Sequence, residues 1–112
     1  MTRRHLNRKL TLETMIRTDD GAGGFIESWQ DLGTLWGDVS SRKGRYVTGQ
    51  GGAMSQMAFQ IVLRGAPVGH SNRPRPGQKL RMGTRVFRIH AVTEEEPSGM
   101  YLICETEEEV AV

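Results

Sequence analysis

A chain of 112 residues with 37% apolar content makes one small domain spanning 1–112, with no length for a second core. No apolar run approaches the ~18 residues of a membrane helix, the basic start MTRRHLNRKL lacks the apolar stretch of a secretory signal, and one cysteine, Cys104, forms no intramolecular disulfide. Net charge is only +2 but lopsided: no acid lies between Asp38 and Glu94, a stretch with ten cations, and no Lys or Arg follows Glu94, where seven acids gather.

Strand signals dominate in chain order. Leu10, Leu12 and Met15-Ile16 alternate roughly, as in a half-buried strand. Asp19-Asp20-Gly21-Ala22-Gly23-Gly24 reads as a turn, with glycines open to positive φ and aspartates able to cap it. Phe25–Trp29 resumes the extended pattern, so 8–30 reads as a hairpin, and Leu35–Val39 as a further buried strand. Residues 40–53 hold four glycines and little periodicity, which predicts a flexible loop, with one short helix as a weaker possibility over 43–58.

Met57, Phe59, Ile61 and Leu63 alternate strictly and predict a strand. A second loop over 66–78 is punctuated by Pro67, Pro74 and Pro76. Leu80–Met82 and Val86–Ile89 flank Gly83-Thr84 as a hairpin, and Met100–Cys104 is the last strand, reached through a turn at 95–99. The fold class is therefore all-β: a small, mainly antiparallel barrel or sandwich of about six strands with long glycine- and proline-rich loops. Its core is drawn from Leu10, Leu12, Trp36, Ile61, Leu63, Val86, Phe87, Ile89, Leu102 and Cys104. Val86 and Phe87 cannot both point inward, because neighbours on a strand face opposite ways.

No catalytic arrangement stands out. His5, His70 and His90 lack a spaced carboxylate partner, so none makes a catalytic dyad, and no Cys/His cluster offers a metal site. Gly49–Gly52 lacks the lysine and hydroxyl of a phosphate-binding loop. Cys104 reads as a buried, inert thiol, Trp29 and Trp36 as core residues, and Glu107-Glu108-Glu109 as a solvated tail. No enzyme activity, cofactor, metal or membrane association is expected.

The order of motifs resembles the phage head–tail joining proteins, of the head-closure or stopper type. Leu10-Thr11-Leu12, Asp20–Gly24, Trp29-Gln30-Asp31-Leu32 and Leu35-Trp36-Gly37-Asp38-Val39 resemble that family's opening strand, D-x-x-G-G turn, W-x-D segment and W-A-x-V strand. The turn is one residue longer than the common D-x-G-G form, and Gly37 stands where alanine is usual. Phe59–Arg64, Arg75-Pro76-Gly77 with Leu80-Arg81, Arg85–Val92 and Leu102-Ile103-Cys104-Glu105 are similar to its later elements, so the resemblance covers 6–105.

The resemblance implies a ring in the neck of a tailed phage or phage-like particle. Such a ring has six or twelve copies, sits below the portal or adaptor protein, retains packaged double-stranded DNA and docks a tail-terminator or tail-tube protein. The alternatives are a tail-terminator or adaptor ring in the same neck, or a small DNA-binding barrel. On this reading Arg42, Lys43, Gly44, Arg45, Gly49, Gly51 and Gly52 belong to a loop reaching the channel, freed by glycine. Arg73, Arg75, Lys79, Glu107, Glu108 and Glu109 are expected in charged contacts between rings, with the cationic stretch and acidic end on different surfaces of the protomer.

Overall fold

The computed structural model describes residues 5–42, 45–49, 52–56, 58–65, 73–95 and 100–109. Eight strands follow one another: β1 Arg8–Asp19, β2 Phe25–Ser41, β3 Arg45–Gly49, β4 Gly52–Gln56, β5 Ala58–Arg64, β6 Lys79–Met82, β7 Arg85–Glu94 and β8 Tyr101–Glu109. Among the described residues there is no helix. Six strands close into a barrel in the order β1-β2-β5-β8-β7-β6, every neighbouring pair antiparallel. β3 and β4 form a separate two-stranded sheet.

Period-two alternation places the core. Leu10 and Leu12 of β1, Phe59, Ile61 and Leu63 of β5, Leu80 of β6, Phe87 and Ile89 of β7 and Cys104 of β8 share one buried cluster. Leu102 is equally buried. The choice between Val86 and Phe87 falls to Phe87, which is fully buried, while Val86 is half-buried. Two tryptophans expected in the core are not there. Trp36 is 53% exposed, because its chain neighbours Leu35 and Gly37 take the inward positions on β2, and Trp29 lies beyond the barrel wall.

β2 is one strand of 17 residues rather than the end of a hairpin and a separate run. Its pairing with β1 runs from Arg8↔Gly37 to Asp19↔Phe25. The register shifts between Leu12 and Glu13, where Leu32 is extra, Gly33 takes φ +132°, and the Asp31 carboxylate accepts the Gly33 N–H at 2.7 Å. This bulge bends the ladder where it leaves the barrel, since β6 pairs with β1 only over Thr11–Glu13. Beyond it the two strands continue alone as an arm. At the tip the expected turn forms: the Asp20 carboxylate accepts N–H bonds from Ala22 and Gly24 at 2.8 and 3.0 Å. The two-residue loop of the β6–β7 hairpin has Gly83 at φ +62°, the left-handed conformation its first position needs.

Gly37 marks a close approach. A Cβ there would lie 2.8 Å from the tips of both Leu10 and Leu63, and 3.2 Å from the Val62 carbonyl. Glycine at this position lets those leucines meet across the wall. An alanine, usual in the resembling pattern, requires both leucine tips to shift.

One mouth of the barrel is covered by a single ion pair. The Arg85 guanidinium lies over the rings of Phe59 and Phe87, 5.2 and 5.1 Å from their centroids, and donates to both oxygens of Glu108 at 2.7 and 3.0 Å. The hydrogen bonds from Arg85 hold the Glu108 carboxyl below its ordinary value of 4.5. Such a group stabilises the fold above its unfolded value, and the contribution disappears as pH falls through the lower folded value. Glu108→Gln should therefore cost about 1 kcal/mol at pH 7, the scale of a well-formed but partly hydrated pair. Urea denaturation at pH 7 and at pH 2.5 checks this: the gap between variant and native chain should close at the acid end.

Candidate functional site

β2 and β5 are neighbours in the barrel, yet β3 and β4 lie between them in the chain. The Arg42 N–H donates to the Ala58 carbonyl at 2.8 Å, drawing the two ends of the excursion together beside the last barrel pair, Ser41↔Phe59. Between them β3 and β4 form an antiparallel hairpin, from Arg45↔Gln56 to Gly49↔Gly52, a sheet separate from that of the barrel. The flexible loop expected over 40–53 is thus, where described, the end of β2 and a hairpin. No helix forms across the described part of 43–58. The glycine count misleads because Gly49 and Gly52 form the last pair of the β3–β4 ladder, a place where glycine is as natural as in a mobile loop.

Of the residues assigned to this segment, Arg42 is exposed at its base, and Arg45, Gly49 and Gly52 lie in the hairpin's backbone ladder. Lys43, Gly44 and Gly51 lie outside the described residues, as do Met57, Pro67, His70 and 96–99 of the last turn.

The charged residues are arranged differently from the expectation. Glu107, Glu108 and Glu109 are not a solvated tail but the end of β8, which lies between β5 and β7. The acidic end therefore lies against the β6 and β7 part of the cationic stretch. Lys79 reaches Glu109 at 2.9 Å, Arg85 reaches Glu108 at 2.7 Å, Arg88 lies 3.8 Å from Glu109, and His90 lies 3.5 Å from Glu107. Arg73 pairs with Glu94 at 3.4 Å, and Arg81 with Glu13 at 3.1 Å. Antiparallel pairing of β7 with β8 produces this, setting Arg88 opposite Glu107. Arg75 is exposed and its backbone N–H donates to Gln78 at 2.8 Å. Of the six residues assigned to contacts between rings, five thus have a partner in their own chain.

Among the described residues no three His, Cys, Asp or Glu side chains converge as metal ligands. Burial, more than the nearby Glu105, pushes the Cys104 thiol up to about 12, with Arg73 opposing. That thiol is a core residue, as expected.

Two surface features carried no signal in the sequence reading. At the root of the arm, Met15, Glu27, Trp29, Lys79, Arg88 and His90 line an open groove of about 550 Å³, where the Lys79 ammonium stands 4.1 Å from the centre of the Trp29 ring. At the opposite end of the same ladder, Lys9 pairs with Trp36, and Arg64 lies one step beyond the pair Gly37↔Leu63 and opposite Tyr101. The result is a cross-strand row, Lys9–Trp36–Arg64–Tyr101, on the barrel's outer face. Among the described residues neither Lys9 nor Arg64 has an ion-pair partner.

Comparison with known proteins gives three findings. A family model described as phage head completion protein matches residues 1–109. A chain in the virion of a native gene transfer agent particle is 44% identical, with a TM-score of 0.81 over 97% of this chain and 100% of that one. A protein of Shigella flexneri 2a solved in solution is 21% identical, with a TM-score of 0.67 over 96% of each chain, a likeness of fold. No curated protein matches.

Proposed function

We propose that this chain, which belongs to the phage head completion protein family, acts as a ring in the neck of its particle and seals the channel with the β3–β4 hairpin. It is a head–tail connector of a virion or phage-like particle, as the family and the 44% identical gene transfer agent chain indicate. The proposal adds the manner of closure: copies of the chain surround the channel below a portal or adaptor protein, hold double-stranded DNA above, and present the opposite side to a tail component. The role is structural, with no reaction assigned.

The observation that supports this most directly is the detached hairpin. A closed barrel has no free edge to offer a partner, and this one adds an excursion that it pins at the base but does not pair with. No acid lies between Asp38 and Glu94, so the hairpin sequence itself carries no negative charge to repel phosphate, although β8 sets Glu107 opposite Ala58 at its base. Arg42, exposed at that base, can attract any DNA sequence alike.

The test is a deletion of residues 48–53, which removes the hairpin tip and leaves Arg42 and Ala58 to be joined by a shorter link. Circular dichroism and thermal melting of the variant should match the native chain, whereas heads assembled with it should lose packaged DNA to nuclease before tails attach. Heads that keep their DNA as well as native ones would exclude the hairpin as the seal. If such heads also fail to take tails, the hairpin grips a neighbouring neck protein instead.

A further inference from the structure

We infer that copies of this chain join head to tail, with the acidic, apolar tip of the β1–β2 arm of one copy seated on the Lys9–Trp36–Arg64 row of the next. The inference rests on the ring reading above and names the contact that builds the ring.

The arm is unfinished as it stands. Past the bulge at Leu12/Glu13 only β1 and β2 pair, and two strands alone are marginally stable in water. Yet this segment carries Phe25 at 67% exposure and Ile26 at 58%, together with half-exposed Met15. Apolar side chains gathered on one projection are an interface signature rather than the scatter normal on a surface.

Charge identifies what covers them. Among the described residues, most acids of the barrel are paired in their own chain, but Asp19, Asp20 and Asp31 of the arm accept only backbone N–H groups. The arm's one cation, Arg17, is taken by Glu27 at 3.3 Å. Among the described residues, most cations without an ion pair lie elsewhere: Lys9 and Arg64 flank Trp36, with Arg8 and Arg42 at the same end of the ladder, while Arg75 stands in the segment before β6. Asp19 and Asp20 at the tip and the cations around Trp36 thus lie near opposite ends of one continuous hairpin, about 37 Å apart at ~3.4 Å per residue, with Asp38 of β2 close to the basic row. A tip that is acidic and apolar complements a row that is basic and centred on an exposed tryptophan, the residue type most often found at the energetic centre of interfaces.

The placement of the two surfaces also sets the symmetry. Because they are different patches at opposite ends, a contact between them is heterologous, and repetition closes into a ring when the rotation permits. Two arms packed on each other would instead give an isologous dimer and bring like charges together.

Ile26→Cys and Trp36→Cys, placed together in the full chain and treated in purified particles with a short bis-maleimide, test the contact. Cys104 is buried and does not compete. The expected result is a ladder of covalent multimers extending past the dimer, with each single variant staying monomeric. A covalent dimer from Ile26→Cys alone, a product joining Trp36→Cys to a different protein, or no product at all would overturn the contact. DNA retention is measured on the same particles, so head closure that persists without a ladder refutes this interface while leaving the connector role intact. A second arm uses charge. Asp19→Lys, or Lys9→Glu with Arg64→Glu, should each cut incorporation at least about tenfold. Combining the three changes should restore incorporation to within about threefold of the native chain, and failure to recover would refute the pairing.

Discussion

Replacing Phe87 by alanine should destabilise the isolated domain by about 3–5 kcal/mol, the usual cost of emptying a buried aromatic site. A small domain has roughly 5–15 kcal/mol in all, so this one change brings the fold close to its limit. Three contacts fail together. Phe87 meets Phe59 edge to face, with centroids 5.2 Å apart and planes at 73°. It lies against the β6 strand through the pair Leu80↔Phe87, and it supports the Arg85 guanidinium that covers the mouth. Urea denaturation followed by circular dichroism measures the loss. Val86→Ala, one residue away on the half-buried face, should cost under about 1 kcal/mol, and Trp36→Ala similarly little in the isolated chain. A Trp36 variant as damaging as Phe87→Ala would place Trp36 in the core after all.

Cys104 should resist alkylation in the native protein by a factor of about a thousand relative to an open thiol at pH 8. The thiolate is the reacting form, and moving the thiol from 9.0 to about 12 lowers its fraction by three decades. Steric burial at 0% exposure slows it further. The same displacement makes the fold sensitive to alkali. A thiol whose folded value is raised stabilises the fold fully below pH 9, and this stability is lost as pH climbs towards 12, by up to about 4 kcal/mol. Iodoacetamide labelling followed by mass spectrometry checks the first statement, and urea midpoints at pH 8 and pH 10.5 check the second. Cys104→Ala should flatten the alkaline fall. Labelling of native protein at the rate of denatured protein would contradict the buried assignment.

Much of the barrel was legible because its signal is alternation. Leu10, Leu12, Ile61, Leu63, Phe87, Ile89, Leu102 and Cys104 are buried where the reading put them. Alternation gives the two faces of a strand but not which one turns inward, and that is where Trp36 was misplaced. Trp36 was placed in the core for its bulk, yet it shares its face with Asp38 and Ser40, and the barrel selects the Leu35–Gly37–Val39 face that lets Leu10 and Leu63 close over Gly37. Leu80 and Phe59 were strand residues on the reading, yet only the closure of β6 onto β1 and of β5 onto β8 shows that both are core. The charges were hardest. A cationic middle and an acidic end look like two poles along the chain, but strand order sets β8 beside β7, and the poles neutralise one another. Residual charge after pairing, rather than composition, identifies the row on β1, β2 and β5, and residual charge depends on registers that span the whole sequence.

The bulge at Leu12/Glu13 bends the β1–β2 ladder without interrupting either strand. The arm is consequently a lever anchored through two covalent chains in the barrel wall rather than a loop hung from its rim. A pull on the tip along the strand direction runs down β1 into its pairs with β6, and down β2 into its pairs with β5. Those hydrogen bonds lie across the line of force and must slip together, a shear geometry that resists far more than bonds opened one after another. A sideways push meets the bulge and, at the arm's root, the contact of Lys79 with Trp29. The molecule is thus stiff in tension and compliant in bending, the mechanical character of a strap that must follow a neighbour's surface and still hold under load.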